Sequence, residues 1–305
     1  MLKIDNVVKQ YAEKLALDHV TFEVPERSIF GLLGPNGAGK TSLIRIITGI
    51  TAADSGTVYF NGEKLSPKHI ARIGYLPEER GMYKKMPIYE QAMYFAQLKG
   101  LSRKDAKKNV DYWLDKFDIQ SWGSKKVEDL SKGMQQKVQF IITILHNPEL
   151  IILDEPFTGF DPVNAELVRK EIIELRQKGA TIILSTHRME SVELMCDHIA
   201  LINNSKRVVD GRLKDIIQRY KHNQYEAFTD VFDASLVRGF SVKSTETTED
   251  GHQKTVFMLE GDQHAPNELL RQLVSVTTVH AFKELLPSIN DIFISLVKTP
   301  QEATV

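Results

Sequence analysis

The chain is short of cysteine, of long apolar runs and of net charge, and each shortage removes a class of protein. Cys196 is the only cysteine among 305 residues, so a disulfide framework is excluded and a reducing compartment is favoured. It lies in the apolar stretch Leu194–Ile202, where a buried, inert thiol is expected. No stretch approaches the ~18 apolar residues of a membrane span. Met1–Asn6 lacks the apolar core of a signal peptide, so none is expected at this end. The expectation is a soluble chain that meets a membrane only through a partner. Lys plus Arg number 39 against 40 Asp plus Glu, which leaves no global footprint for a polyanion.

The charge that is present is unevenly spread. From residue 222 onward there are 6 Lys/Arg and 12 Asp/Glu, while the first 221 residues hold 33 and 28. A net of +5 turning into −6 predicts a boundary near residue 221, hence domains over 1–221 and 222–305. With 42% hydrophobic residues the chain can bury a large core.

The first part turns on Gly34-Pro35-Asn36-Gly37-Ala38-Gly39-Lys40-Thr41-Ser42. It follows the apolar run Ser28–Leu33 and precedes the helix-patterned Leu43–Thr48. Strand, glycine-rich loop and helix are the context a G-x-x-x-x-G-K-[ST] phosphate loop requires. Glycines let backbone N–H groups converge on an anion without Cβ obstruction, and the helix N-terminus adds unsatisfied donors and a favourable dipole. Lys40 can reach β- and γ-phosphates and the Thr41 hydroxyl can ligate Mg²⁺. Asn36, Gly37, Ala38, Gly39 and Ser42 complete the candidate nucleotide-binding set. The competing reading, a glycine turn that binds nothing, leaves the flanking strand and helix unexplained.

Before the loop, Lys3–Val8, Leu17–Val24 and Ile29–Leu33 alternate like strands. Tyr11, in the polar link between the first two, is either a surface aromatic in a turn or a ring stacked on a purine. After the loop helix comes a strand, Thr57–Phe60, with a hairpin signal at Asn61-Gly62. The strand over Ile73–Pro77 ends in a polar loop led by Glu78. Tyr89–Leu98 and Asp105–Phe117 space apolar residues as helices do.

Leu130-Ser131-Lys132-Gly133-Met134-Gln135-Gln136-Lys137 starts a helix for which Ser131 is a suitable cap, continuing through Val138–Leu145 and stopping before Pro148. Leu150–Leu153 is an apolar run of the buried, parallel kind, ending in Asp154-Glu155. Carboxylates at that edge sit where ligands of open α/β sheets bind; a solvated loop after a strand is the bland alternative. Thr158–Pro162 makes a turn, Val163–Gln177 a helix, and Ala180–Leu184 a strand that ends at Ser185-Thr186-His187. A His in that position is ordinarily a loop residue, but this strand is expected beside the one bearing Asp154.

In this order the motifs resemble one family, the ATP-binding cassette (ABC) ATPases, engine subunits of ABC transporters, over about residues 1–220. Gly34–Ser42 resembles its Walker A loop, Leu130–Lys137 its signature motif, Leu150–Glu155 its Walker B strand, Thr158–Pro162 its D-loop and His187 its switch histidine. The resemblance implies an α/β fold: a P-loop NTPase of ABC type, with a mixed or parallel sheet core, an antiparallel β subdomain and a helical subdomain over about residues 85–145. It implies ATP and Mg²⁺ as cofactors, Tyr11 stacked on adenine, Asp154 with Thr41 and Glu78 on the metal, Glu155 as general base, and Lys40 and His187 on the γ-phosphate. Ser131, Gly133 and Asp161 would contact nucleotide held by a second ATPase chain, expected to be a copy of this one. An integral membrane permease is the implied partner, without nucleic acid, and the implied place is the cytoplasmic face of the cell membrane. Residues 85–130 and the loop Glu78–Met86 would dock the permease, with Tyr83, Met86 and Tyr89 as anchors, Tyr89 reading equally well as a core residue. An exporter ATPase is thus expected; the alternative is a soluble cassette acting on ribosomes or nucleic acid, whose usual second cassette or long coiled coil is missing. Two departures stand out: Glu78 where the family commonly has Gln, and Lys132 and Met134 where Gly and Gln are commonest.

The tail reads as a short strand at Arg207–Val209, a turn at Asp210-Gly211 and a helix Leu213–Tyr220. Strands at Tyr225–Thr229, Phe240–Lys243, Lys254–Leu259 and Val276–Leu285, with helices at Pro266–Val274 and Ile289–Val297, predict a small α/β accessory domain. Thr245–Gly251 reads as a polar loop. Pro287–Phe293 resembles the ending of cassette subunits of the drug-, sodium- and polysaccharide-exporter type. His252, His264 and His280 lack metal-ligand spacing and read as ordinary polar residues.

Overall fold

Period-two burial turns the first two segments into a hairpin. β1 (Leu2–Tyr11) and β2 (Lys14–Val24) pair antiparallel, and Leu2, Ile4 and Val7 face Val24, Phe22 and Val20 from the buried side. This is a computed structural model describing residues 1–78, 81–259 and 266–298, in two compact units, Met1–Leu213 and Lys214–Val305. The ladder runs to the hairpin tip, so Tyr11 is the last residue of β1, opposite Lys14, and not part of a link.

β3 (Ile29–Leu33) is buried along its whole length and leads through the glycine-rich loop into α1 (Lys40–Ile47), which buries Leu43, Ile44, Ile46 and Ile47. β4 (Ser55–Phe60) and β5 (Glu63–Lys64) turn at Asn61 and Gly62, both at positive φ, and extend the first hairpin into a sheet of order β2-β1-β4-β5. The short α2 (Pro67–Ile70) precedes β6 (Ile73–Leu76). Three helices follow, α3 (Ile88–Leu98), α4 (Arg103–Lys116) and α5 (Lys132–Ile144).

Then strands and helices alternate: β7 (Leu150–Asp154), α6 (Pro162–Gln177), β8 (Thr181–Ser185), α7 (Met189–Met195), β9 (His198–Asn203) and β10 (Lys206–Arg212), with α8 (Leu213–Arg219) across the division. The fully apolar runs pair in parallel, as strands covered on both faces do, giving the order β10-β9-β3-β8-β7-β6 with only β10 antiparallel. Phe22 stacks on Phe30 at 5.3 Å, and one core joins the antiparallel sheet, α1 and the facing side of the parallel sheet. Asp154 lies in register with Ser185, which sets the residues after β7 beside those after β8. Cys196 is buried, and burial pushes its thiol pKa up.

The second unit contains β11 (Gln224–Thr229), β12 (Phe240–Thr247), β13 (Gln253–Leu259), α9 (Pro266–Val276), β14 (Val279–Leu285) and α10 (Ile289–Lys298). Its sheet is wholly antiparallel, order β12-β13-β11-β14, around Tyr225, Ala227, Phe240, Phe257, Leu269 and Leu273. Three local readings change. Asp210 and Gly211 pair with Ala200 and Ile199 inside β10 in place of a turn, because Gly211 absorbs a φ of 139°. Thr245–Thr247 extend β12 along β13, leaving a shorter loop. Val276 closes α9 in place of opening the next strand, since the apolar face set by Leu269 and Leu273 carries the helix two residues further. Glu79, Arg80 and His264 lie outside the described residues.

Candidate functional site

A cavity of about 280 Å³ opens around the glycine-rich loop, lined by Tyr11, Lys14, Ala16, Asn36, Gly37, Gly39, Lys40, Thr41, Ser42, Glu78, Asp154, Glu155 and His187. The loop is held by backbone contacts that only glycine permits. A Cβ on Gly34 would lie 2.1 Å from the Ile202 carbonyl oxygen, and one on Gly39 would lie 2.3 Å from that of Ala16. The turn between β9 and β10 fastens the same region: the Ser205 N–H donates to the Ala38 carbonyl at 3.2 Å and its hydroxyl to that of Leu15 at 2.6 Å. Ala38 itself faces the core and its N–H donates to Pro35 O, so it stands apart from the cavity lining.

Lys40 Nζ donates to the carbonyls of Gly34 and Pro35 at 2.7 and 3.0 Å, where it braces the loop from within. Burial pushes its pKa down, and the facing carboxylates of Asp154, Glu155 and Glu78 oppose that. Asp154 is pushed up, by burial first and then by Glu78 and Glu155. Three carboxylates thus act on the Lys40 ammonium in a partly buried site. With the Thr41 hydroxyl beside them, the donors are all hard oxygens, a set that fits Mg²⁺ better than a softer metal. Replacing Glu78 by Gln removes one repulsive charge from Asp154 and keeps an oxygen ligand. Nucleotide binding is therefore expected to persist in Glu78→Gln with at least about a tenth of wild-type ATP turnover, as a coupled-enzyme assay would read; complete loss of turnover would refute this substitution logic.

Glu155 is placed by a strained backbone. Its φ is +50°, its N–H donates to Ser185 O at 2.8 Å, and its side chain is mostly buried. Oε1 accepts from the His187 N–H at 2.9 Å and lies 2.7 Å from His187 Nδ1, while Oε2 accepts from the Thr186 hydroxyl at 3.2 Å. Left-handed backbone at a non-glycine residue is sustained only where its surroundings over-determine it, and here they aim the carboxylate at the cavity. A carboxylate bonded to an exposed imidazole can take up a proton from water and stabilise the charge that results.

Tyr11 stands at the cavity rim, 40% exposed, with Lys9 Nζ 5.3 Å from its ring centroid. A cation over one face of the ring leaves the opposite face as the apolar area for a flat ligand. Sequence reasoning missed Lys14 and Ala16, which line the cavity from β2. Pairing Tyr11 with the residue across a two-residue hairpin tip would have found Lys14.

Ser131, Gly133 and Asp161 do not line this cavity. Ser131 caps α5, its Oγ accepting from the Met134 N–H, and Asp161 caps α6, accepting from Val163 and Asn164. A Cβ on Gly133 would lie 3.1 Å from Gly159 O, so the start of α5 adjoins the turn before α6. Two helix N-termini are therefore presented together, away from the cavity of their own chain.

The sequence matches a family model described as ABC transporter over residues 17–158, and one described as ATP-binding protein DrrA1-3-like, C-terminal domain, over residues 211–297. It is 39% identical, over 97% of its length and 98% of the relative, to the ABC transporter ATP-binding protein YhaQ of Bacillus subtilis (strain 168). The linearmycin resistance ATP-binding protein LnrL of the same organism is 32% identical over 72% of this chain and 71% of its own. A solved structure described as the ATP binding subunit of an ABC transporter is 31% identical, with a TM-score of 0.68 over 72% of this chain and 93% of that one.

Proposed function

Because the chain belongs to the family of ABC transporter ATP-binding proteins and is an ATPase of that family, we propose that it dimerises on Mg·ATP and drives a separate membrane permease as an exporter. The single observation that carries the ATPase part is the convergence of Lys40, Asp154, Glu155 and His187 on one cavity beside the phosphate loop. Residues 1–221 act as the nucleotide-binding domain, with its helical part over about 85–145, and 222–305 as an accessory domain. The loop amides and Lys40 hold the phosphates, Tyr11 stacks on the base, and Asp154, Thr41 and Glu78 hold Mg²⁺, which neutralises phosphate charge when bound. Glu155 takes the proton of the attacking water, and His187, bonded to it, orients that water toward the γ-phosphate.

Ser131, Gly133 and Asp161 serve the site of a second copy, since a helix N-terminus offers free N–H groups to an anion. A homodimer then has two sites, each closed by the partner's signature segment. The exporter direction is supported by the relative whose name is a resistance protein. No helix among the described residues is long and apolar enough to cross a membrane; in this reading the permease supplies the span and the chain works from the cytoplasmic face. A second cavity of about 680 Å³, lined by Tyr75, Met82, Phe95 and Ile142 around Lys99 and His146, lies where the permease would dock. Tyr83 is 53% exposed there and packs on Tyr94 and Phe95, whereas Tyr89 is tied to Asp111.

Light scattering tests the dimer. The Glu155→Gln chain is expected to double its mass with Mg·ATP, because hydrolysis no longer reopens it. Adding Ser131→Asp preserves a good helix cap but sets a negative charge against the partner's γ-phosphate, and is expected to restore the monomer with ATP affinity within about threefold, since only the trans contact is lost. Glu155→Gln remaining monomeric, or a dimer indifferent to Ser131→Asp, would sink the proposal.

A further inference from the structure

Two imidazoles and a carboxylate meet at one end of the sheet of the second unit, although the histidines are 28 residues apart. Asp230 directly follows β11, His252 directly precedes β13, and His280 is carried by β14. β11 lies between β13 and β14, so the ladder brings together what linear spacing separates. Asp230 Oδ1 lies 2.8 Å from His280 Nε2 and 3.3 Å from His252 Nδ1. One ligand atom from each of the three residues lies within 4.8 Å of the other two.

The donors are held in place. Thr278 hydrogen-bonds the Asp230 carboxylate, the Thr277 hydroxyl donates to the Asp230 carbonyl at 3.1 Å, and the Asp230 N–H donates to Thr278 O at 3.1 Å. Phe228 rests against both imidazoles, whose centroids are 4.4 Å apart. Hydrogen bonds from His280 and Thr278 hold the Asp230 carboxyl below the usual carboxylate range. All three side chains stay between about a third and a half exposed, open to an ion from solvent.

A plain ion-pair network explains one of these contacts but not both. Two imidazolium rings this close repel each other. A metal ion would take the lone pairs of His280 Nε2 and His252 Nδ1 in place of their contacts with the carboxylate. We propose that Asp230, His252 and His280 bind a divalent first-row transition-metal ion of the zinc class, and that the ion pins β11, β13 and β14 together. Two imidazoles with one carboxylate select such an ion over Mg²⁺ or Ca²⁺, which take oxygen ligands. Ligand bonds of ~2.0–2.1 Å in a tetrahedron set ligand atoms ~3.3–3.4 Å apart. The Asp230–His252 separation already matches, the Asp230–His280 separation has to widen by about half an ångström, and exposure leaves the fourth position to water. This site is independent of the ATPase reading.

The test uses the full chain, stripped with chelator and titrated with Zn²⁺ alone by calorimetry, with unfolding temperature as a second reading. The wild type is expected to show one tight equivalent that the His252→Asn/His280→Asn double variant lacks. Asp230→Asn keeps the shape of the hydrogen bonds and is expected to weaken that equivalent at least about tenfold, with wild-type ATP turnover reporting an intact fold. Zn²⁺ is expected to raise the unfolding temperature of the wild type and not of the double variant, and a large excess of Mg²⁺ to leave both unchanged. Equal zinc stoichiometry and affinity in wild type, double variant and Asp230→Asn would place the ion elsewhere and overturn the proposal, as would no binding by the wild type.

Discussion

ATP turnover by Glu155→Gln is expected to fall at least about 100-fold, the lower end of what a positioned general base contributes, while ATP affinity stays within about threefold, because Glu155 does not hold the phosphates. The substitution is nearly isosteric, and the amide oxygen can still accept the His187 N–H that Oε1 accepts at 2.9 Å. What disappears is the capacity to take a proton. The left-handed backbone and its bond to Ser185 O are main-chain features and survive, so the loss cannot be blamed on misplacement. Single-turnover hydrolysis, beside equilibrium binding of a fluorescent ATP analogue, separates the two quantities. A variant that hydrolyses at the wild-type rate would remove Glu155 from the chemistry and leave His187 without its partner.

The parts of the site written on single continuous stretches were legible before any coordinates. The phosphate loop is one such stretch, and Asp154-Glu155 ends another. Each is a strand edge, and a run of five buried residues such as Leu150–Asp154 can hardly be anything but an inner strand. That His187 would stand next to Glu155 followed from one topological guess, that β8 adjoins β7; the register of Asp154 with Ser185 makes it a contact. Features that depend on pairing across the chain were not legible. Lys14 enters the cavity because a hairpin tip brings it opposite Tyr11. Ser205 clamps the loop because β9 and β10 turn beside it. His252 and His280 looked ordinary because sequence spacing says nothing about neighbours in an antiparallel sheet. The misread ends, at Asp210-Gly211 and at Val276, are places where a ladder or an apolar helix face outran the local turn signal.

Gly39→Ala is expected to lower ATP affinity at least about 100-fold, because the glycine that opens α1 is fixed twice over. Its φ of +117° lies where side-chain-bearing residues rarely go, and the new Cβ would stand 2.3 Å from Ala16 O and 3.0 Å from Leu17 Cδ2. The first of these is backbone of β2, not the far end of a flexible side chain, so it does not move aside cheaply. The loop has to lift instead, which swings the N–H groups at the start of α1 off the phosphates. Backbone strain alone destabilises by ~1–3 kcal/mol, equivalent to roughly 3–10 °C in unfolding temperature for a unit of this size. Gly37→Ala is the control. Gly37 also has positive φ, +79°, but its Cβ would meet nothing nearer than Lys14 Nζ at 3.6 Å, so it carries strain without the collision. A loss of affinity at least tenfold smaller for Gly37→Ala is the expected result, since only relaxed strain then remains. Equal losses at the two positions would show that loop conformation by itself sets the site. Wild-type ATP binding by Gly39→Ala would mean that the triphosphate does not lie in the cradle of this loop.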